Sequence, residues 1–391
     1  MSENFDILVV GGGVNGLLLS HALSKAGNSV ALIDSIKIKD RINRRIDGRG
    51  IAISKNSEDF FRSLEIWEDI YKSCGEIKKI HISDYNGKSE LNFDSREINE
   101  SRLGVIVEMD HIQDVIYHKI HSLRSVKIFD NQKISDVSED DTGVTVKSEK
   151  DVFKSKLLIA CDGKNSHIRN YLKIRNFCHS YEQVAAVFNI SHELDHNNTA
   201  YEFFYPNGPL AFLPRKNSHE SSVVWIEKKM DACKGEYFNN KLFLEELGKR
   251  LYPTHGSVKL ISQINHYPLY LQFSKKYFSN KTIFIGDSLH HIHPVAGQGF
   301  NLSVKDIICL VNLIDDYKSY GFLINDRKLF EEFFKKRVIS NANMIGITHG
   351  LNLVFSNNNF VLKKFRNFGV GLINKSGYLK NILMNYAMGR K

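Results

Sequence analysis

The run TIFIGDSLHHIHPVAGQGFNLSVKD, Thr282 to Asp306, decides the fold, because it joins a buried strand, an acid at its end and a glycine-rich approach to a helix. Thr282 to Ile285 is a short apolar, β-branched run that stops at Gly286, as a central parallel strand does. Asp287 then stands at the carboxyl end, where open α/β sheets bind ligands, and its carboxylate can accept hydrogen bonds from ribityl or ribose hydroxyls. Pro294 halts regular structure, Gly297 and Gly299 let backbone approach a flat ring, and Phe300 to Leu313 carries helical periodicity. The positive N-terminus of that helix suits a ligand that carries negative charge. Gly286, Asp287, Pro294, Gly297, Gln298, Gly299, Phe300 and Asn301 are therefore candidate cofactor contacts.

A matching half lies at the N-terminus. Phe5 to Val10 reads as a strand running into Gly11-Gly12-Gly13-Val14-Asn15-Gly16, which fits GxGxxG with glycines at 11, 13 and 16. A helix follows to about Lys25, Gly27 caps it, and Ser29 to Ile33 is the next strand, ending in Asp34. An acid about 20 residues beyond the glycines is the one expected on a ribose hydroxyl. GxGxxG alone is a weak signal, and a glycine turn that binds nothing would produce it too. The complete order of strand, turn, helix, strand and acid is specific to dinucleotide binding, with Gly11, Gly13, Val14, Asn15, Gly16 and Asp34 as candidates.

Ala160-Cys161-Asp162-Gly163-Lys164-Asn165-Ser166-His167-Ile168-Arg169 follows another apolar strand, Lys156 to Ile159. GxGxxG near the start, DGxxSxxR in mid-chain and GD followed by HPxAGQGxN resemble, in this order, the FAD-dependent aromatic hydroxylases similar to p-hydroxybenzoate hydroxylase. Within that group the HPVAGQGFN wording, GPLAFLP at 208 to 214 and AMG at 387 to 389 look like the ubiquinone-biosynthesis hydroxylases, which act on polyprenylated phenols. The likeness covers nearly the whole chain. Asp34 departs from the usual Glu, Ser288-Leu289 from two alanines and Ser303 from glycine, which puts helix packing near the site in question.

The resemblance implies FAD as cofactor and a monooxygenase reaction. NAD(P)H delivers hydride, O2 adds to the reduced flavin, and the C4a-hydroperoxide hydroxylates the ring of a polyprenylated phenol. It also implies that Asp162 and Gly163 serve FAD and the visiting nicotinamide, since no second GxGxxG is present. Asp47-Gly48-Arg49-Gly50-Ile51-Ala52-Ile53-Ser54 resembles the family segment whose arginine reaches the cofactor, so Arg49 is a candidate, although a merely exposed arginine in a basic stretch reads the same. Gln113, near the helix start after Glu108, is a further cofactor candidate. Among catalytic candidates are His293, Pro294 and Gly297, His293 as a group that orients substrate or relays a proton. His290, His291 and His293 sit inside the flavin motif, which accounts for them without a metal.

Other classes stay open. Flavin-dependent halogenases share the first glycine motif, but Trp67 and Trp225 do not make their tryptophan-rich one. A non-catalytic FAD-containing scaffold of a biosynthetic complex would carry the same cofactor residues.

The fold class expected is α/β, a discontinuous Rossmann-like FAD-binding domain with an inserted antiparallel β-sheet substrate domain and a helical C-terminal tail. Residues 1–75, 101–177 and 276–335 are assigned to the first, 76–100 and 178–275 to the second, and 336–391 to the tail. Tyr201 to Tyr205 and Ser221 to Ile226 alternate as strands, Pro206-Asn207-Gly208-Pro209 reads as a turn, and a hairpin is expected around Asn86-Gly87. Phe203, Tyr205, Phe212 and Trp225 are candidates for the aromatic lining of the substrate site, with ordinary core as the alternative.

At 391 residues, 42% hydrophobic and 25% charged, the chain is long enough to bury large cores. Its five cysteines form no CxxC pair, which points to reduced thiols and a cytoplasmic setting. The apolar run Ile7 to Val10 leads into glycines and reads as a strand, not a signal peptide, and no run is long enough to span a membrane. The formal charge of +9 is uneven, since Lys363, Lys364, Arg366, Lys375, Lys380, Arg390 and Lys391 lie between 361 and 391 without one acid. Interleaved with Phe365, Leu372, Leu379 and Ile382, they suit an anionic inner-membrane surface, while a helix pair packed on the body explains them equally. No nucleic-acid module is present.

Overall fold

Apolar β-branched runs build the central sheet of the computed structural model, which describes residues 4–43, 49–84, 90–228, 240–355 and 376–389. Val126–Phe129, Val30–Ile33, Asn4–Val10, Val152–Ala160 and Thr282–Phe284 lie side by side in that order, all parallel. Ile7, Leu8, Val9, Leu32, Leu158 and Ile159 are fully buried, because parallel strands are covered on both faces. The helices Val14–Lys25, Met109–His121 and Gln298–Ser319 close one face around Leu17, Ile116 and Ile307. The first half of Val152–Ala160 pairs antiparallel with Val144–Ser148, and that strand with Ile134–Glu139, while its second half takes Thr282–Phe284.

The inserted strands form one sheet of nine. Its path runs His290–His291, Asn265–Ser274, Asn176–His192, Glu220–Lys228, Gly208–Pro214, Thr199–Tyr205, Lys79–Asp84 and Glu90–Asp94, with Val258–Leu260 on the flank of Asn176–His192. Pairing is antiparallel except between Thr199–Tyr205 and Lys79–Asp84. Period-two alternation gives the sheet two different faces. Tyr201, Phe203, Tyr205, Phe212 and Trp225 pack with Phe188 under Leu247 and Leu251 of the helix Asn240–His255. Ala185, Val187, Ile226 and Leu269 lie on the other face, with Tyr267 and Val224 against them. Of the two readings offered for Phe203, Tyr205, Phe212 and Trp225, core is the one that fits: Phe212 and Trp225 are buried, and Phe203 and Tyr205 pack partly buried against them under the helix Asn240–His255. The hairpin expected around Asn86-Gly87, and Asp47-Gly48, lie outside the described residues.

A small antiparallel sheet joins the two bodies. Gly50–Ile53, Gly104–Glu108 and Gly75–Ile77 pair in that order and lie beneath the nine-stranded sheet. The approach is close, since a Cβ at Gly75 would meet the Pro214 carbonyl at 2.1 Å and one at Gly50 the Ser222 side chain at 2.8 Å.

Three helices finish the described chain: Gln298–Ser319, Arg327–Phe355 and Gly377–Ala387. The first two are clamped by a buried charge network. Asp306 takes Arg337 Nε–H at 2.6 Å and Asn341 Nδ2–H at 3.2 Å on one oxygen, and His290 Nε2 lies 2.5 Å from the other. Burial opposes ionisation of Asp306, but the charges and hydrogen bonds of His290 and Arg337 outweigh it and hold the carboxyl below its ordinary value.

Candidate cofactor site

The glycine loop is shaped by its neighbours. Gly11 has φ +107°, and its N–H bonds the Ile33 carbonyl at 2.8 Å, tying the loop to the second strand. A Cβ there would meet the Cys161 carbonyl at 2.4 Å, and one at Gly16 the Gly11 carbonyl at 1.8 Å, so helix and loop touch only because both are glycine. Gly13, in contrast, starts the helix Val14–Lys25 with a Cβ position that no protein atom approaches within 4 Å. Val14 is core, and Asn15 Oδ1 is buried without a hydrogen-bond partner in the protein.

Asp34 caps the strand beside this loop. Its carboxylate accepts Gly12 N–H at 2.5 Å, Ile36 N–H at 2.9 Å and the Arg41 guanidinium at 3.0 Å. A ribose hydroxyl bound here would compete with Arg41, a neighbour that motif reading missed because the glycine pattern does not extend to residue 41.

The mid-chain motif folds back on the same ends. Asp162 Oδ2 accepts Ile168 N–H at 3.1 Å, while Oδ1 is buried and unpartnered, and burial pushes the carboxyl above its ordinary value. Gly163 adopts φ +82° with open space at its Cβ position. Arg169, 4% exposed, donates to the Lys164 carbonyl at 2.7 Å and the Ser288 carbonyl at 2.8 Å, so this arginine staples the DG turn to the turn holding Asp287.

Gly286, at φ +68°, bends the chain after the last parallel strand and sits against Asn15. Asp287 is half-buried and lies 3.2 Å from His291 Nδ1. Burial raises its carboxyl pKa, but the His291 hydrogen bond and the charges of His291, His290 and Arg49 prevail and hold it low. Arg49 lies with its guanidinium 4.9 Å from the Tyr267 ring centre. The two unusual serines are satisfied by backbone: Ser288 Oγ donates to Ala160 O at 2.7 Å and Ser303 Oγ to Gly299 O at 3.3 Å.

The loop from Pro294 to Gly297 delivers the helix. Pro294 accepts from Gly297 N–H at 3.0 Å, and Gly297, at φ +60°, is the helix N-cap and carries no capping side chain. The first-turn N–H groups of Gly299 and Phe300 have no intrahelical acceptor by geometry, whereas that of Asn301 stands four residues beyond the Gly297 carbonyl. Side chains behave differently from backbone here. Phe300 packs on Phe61, and Asn301 donates to Ala52 O at 2.8 Å and accepts Ser54 N–H at 3.0 Å and Ser57 Oγ–H at 2.8 Å. What Phe300 offers a ligand is its N–H alone. Gly299 is less confined than its sequence context suggests, because a Cβ would meet only Ile292, at 3.8 Å.

His293 is fully buried, its Nδ1 accepting Val295 N–H at 3.3 Å and its Nε2 lying 3.3 Å from Gln183 Oε1. Burial, with His349 adding to it, drives its pKa down to about 3, so the ring is neutral and locked in the Nε2–H form. Such a ring holds the Pro294 turn through Val295 N–H. Gln113 is buried on the helix Met109–His121. Among the described residues no cluster of histidines, cysteines and acids suits a metal ion.

These features fit FAD. The open Cβ positions at Gly13 and Gly163, the unpartnered Asn15 and Asp162 oxygens, and an uncapped helix start give hydroxyl, phosphate and ring partners from three segments that converge at the ends of parallel strands. Asp287→Ala should remove hydrogen bonds to a charged acceptor, about 1.5–3 kcal/mol, and lower FAD affinity at least about tenfold. Unchanged FAD occupancy after gel filtration would take Asp287 out of the site.

Comparison with known proteins agrees with this placement. The FAD binding domain family matches residues 4–316, and the squalene epoxidase family matches residues 263–389. Ubiquinone hydroxylase UbiL of Rhodospirillum rubrum is 28% identical over 390 residues, 98% of this chain and 89% of that protein. The 3-demethoxyubiquinol 3-hydroxylase of Escherichia coli is 26% identical over 390 residues, 98% of each chain. The crystal structure of p-nitrophenol 4-monooxygenase PnpA from Pseudomonas putida superposes with a TM-score of 0.81 at 18% identity, covering 100% of this chain and 99% of that one, and shares the fold. With a match over most of its length and a site built for the cofactor, the chain belongs to the FAD binding domain family.

Proposed function

We propose that the protein is an FAD-dependent monooxygenase that hydroxylates the ring of a polyprenylated phenol in ubiquinone biosynthesis, with NAD(P)H as reductant and O2 as oxygen donor. The observation that carries this reading is the full-length likeness to two proteins named as ubiquinone-pathway hydroxylases. Bound FAD supplies the electron transfer and oxygen activation that side chains cannot. Asn15, Asp34, Asp162 and Asp287 would hold its polar parts, and the helix start at Gly299 and Phe300 would stabilise negative charge on the ring. Ala185, Val187, Ile226 and Tyr267 roof the space and exclude water. Pro294 and Gly297 aim the helix, and His293 fixes that turn from behind.

The purified protein should be yellow, reduced nicotinamide should bleach it, and a short-chain prenylphenol should accelerate O2 consumption and appear one oxygen heavier by mass spectrometry. Bleaching without phenol-dependent O2 uptake or product would sink the hydroxylase reading and leave an FAD scaffold.

The same reading places the enzyme at the cytoplasmic side of the inner membrane, held peripherally by its C-terminal region within reach of other biosynthetic proteins. In the helix Gly377–Ala387, Tyr378, Leu379, Ile382 and Leu383 form an exposed apolar stripe while Met384 is buried against the body. Most of the basic residues, Lys363, Lys364, Arg366 and Lys375 among them, lie outside the described residues. No described helix is long and apolar enough to cross a membrane. Each basic residue near an anionic surface contributes about 1 kcal/mol. Co-sedimentation with anionic vesicles should therefore fall at about 1 M salt, where screening acts over roughly 3 Å, and in K363E/K364E/R366E. Equal binding to neutral vesicles would count against it.

A further inference from the structure

The AMG run, 387 to 389, stands where the helix Gly377–Ala387 stops, and there the chain returns to the cofactor side of the molecule. Met384 and Met388 anchor the return. Both are buried, in one cluster with Ile77 and Ile106 of the small sheet and Leu91, Phe93 and Ala200 of the large one. The Met388 carbonyl then accepts Asn56 N–H at 3.4 Å. Asn56 lies in the first turn of the helix Lys55–Ser63, so a donor without an intrahelical acceptor is satisfied from the opposite end of the chain. Gly389 follows at φ +78°, a conformation that suits glycine. A Cβ there would stand 3.1 Å from Asn56 Cβ, 3.3 Å from Ser54 Oγ and 3.5 Å from Lys305 Cε, so a side chain would press on the first two.

Ser54 carries this contact on to the cofactor helix. It caps Lys55–Ser63, and its N–H donates to Asn301 Oδ1 at 3.0 Å, where Ser57 Oγ–H also arrives at 2.8 Å. Asn301 in turn donates to the carbonyls of Ala52 at 2.8 Å and Gly297 at 3.4 Å, Gly297 being the N-cap of Gln298–Ser319. Lys305 lies one turn further along the same helix face. We propose that Met388 and Gly389 are positioning residues for FAD: they hold the Ser54–Asn56 turn against Asn301 and so fix the helix start assigned to the cofactor, a role that rests on that assignment. Glycine is needed for the close approach, and the flexible methionine side chains fill the irregular junction of two sheets. Charge dominates the C-terminal stretch in the sequence, and a hydrogen bond from Asn56 to residue 388 is invisible there.

The test dilutes holoenzyme of wild type, G389V, N301A and the double variant, and reads released FAD by its fluorescence. G389V should bind FAD about five- to tenfold more weakly, the scale of losing one helix cap. It should also blur the resolved shoulder in the visible spectrum of the bound flavin, while far-UV circular dichroism and melting of the FAD-free protein stay at wild type. N301A should lose at least as much, and G389V should add nothing to it, because both cut the same connection. A second readout needs no variant: in the wild type, FAD loading should slow backbone amide exchange at residues 384–389, the reciprocal of their effect on FAD. Wild-type FAD binding in G389V, additive losses in the double variant, or exchange at 384–389 indifferent to FAD overturns the proposal. Wild-type FAD binding in N301A overturns it together with the placement of FAD at this helix, whereas a loss in N301A without one in G389V sinks only the part given to the C-terminal turn.

Discussion

Exchange of Asp306 for alanine is expected to destabilise the protein by about 3–5 kcal/mol, the range for removing one partner of a buried ion pair. Arg337 and His290 would keep their places between two helices and a strand without the carboxylate that both face. The loss exceeds that of a cavity because a guanidinium 9% exposed would be left uncompensated. Replacing the pair together, Asp306→Leu with Arg337→Met, should destabilise less than either single change, since no charge is stranded. Urea denaturation of the three variants decides this, and a single variant as stable as wild type would refute the clamp. The pH dependence has a definite sign. A carboxyl held below its ordinary value stabilises the fold above about pH 4 and loses that contribution as pH falls through its folded value.

Gly16→Val should abolish FAD retention altogether. The added Cβ would stand 1.8 Å from the Gly11 carbonyl, which is backbone and cannot swing aside, so the loop and the helix must part. Gly13→Ala separates this from the site itself. Its Cβ meets no protein atom, so the variant should keep wild-type circular dichroism and melting while losing FAD affinity through crowding, about 1–3 kcal/mol. FAD-to-protein absorbance ratios read both outcomes. Full occupancy in Gly16→Val would contradict the close packing, and full occupancy in Gly13→Ala would move the ligand away from the helix start.

What could be read in the chain was local. The glycine loop, Asp34 at a strand end and the Gly286-Asp287 turn are short patterns whose geometry follows from backbone rules, and the structure gathers them at the same edge of one sheet. The α/β class with an inserted antiparallel sheet followed from alternation and apolar runs. Long-range pairings were illegible. Asp306 and Arg337 look like solvent charges on two helices until those helices are packed, and Arg41 reaches Asp34 from a helix that no motif includes. The direction of an alternating strand was also hidden. Tyr201 to Tyr205 has aromatics on one side and Glu202 on the other, and sequence favours the aromatic side as the binding face, whereas the helix Asn240–His255 covers it.

The parallel pairing of Asn4–Val10 with Val152–Ala160, and of that strand with Thr282–Phe284, has a consequence for how the molecule comes into being. On a ribosome the first strand can pair early with Val30–Ile33, but its other neighbour, Val152–Ala160, emerges much later, and the cradle is incomplete until the third segment follows. Contacts of such sequence separation make folding slow and leave apolar edges uncovered in the meantime. Nascent chains of this protein are therefore natural clients for chaperones, and the cofactor can enter only near the end of synthesis, as the piece that locks three distant stretches together.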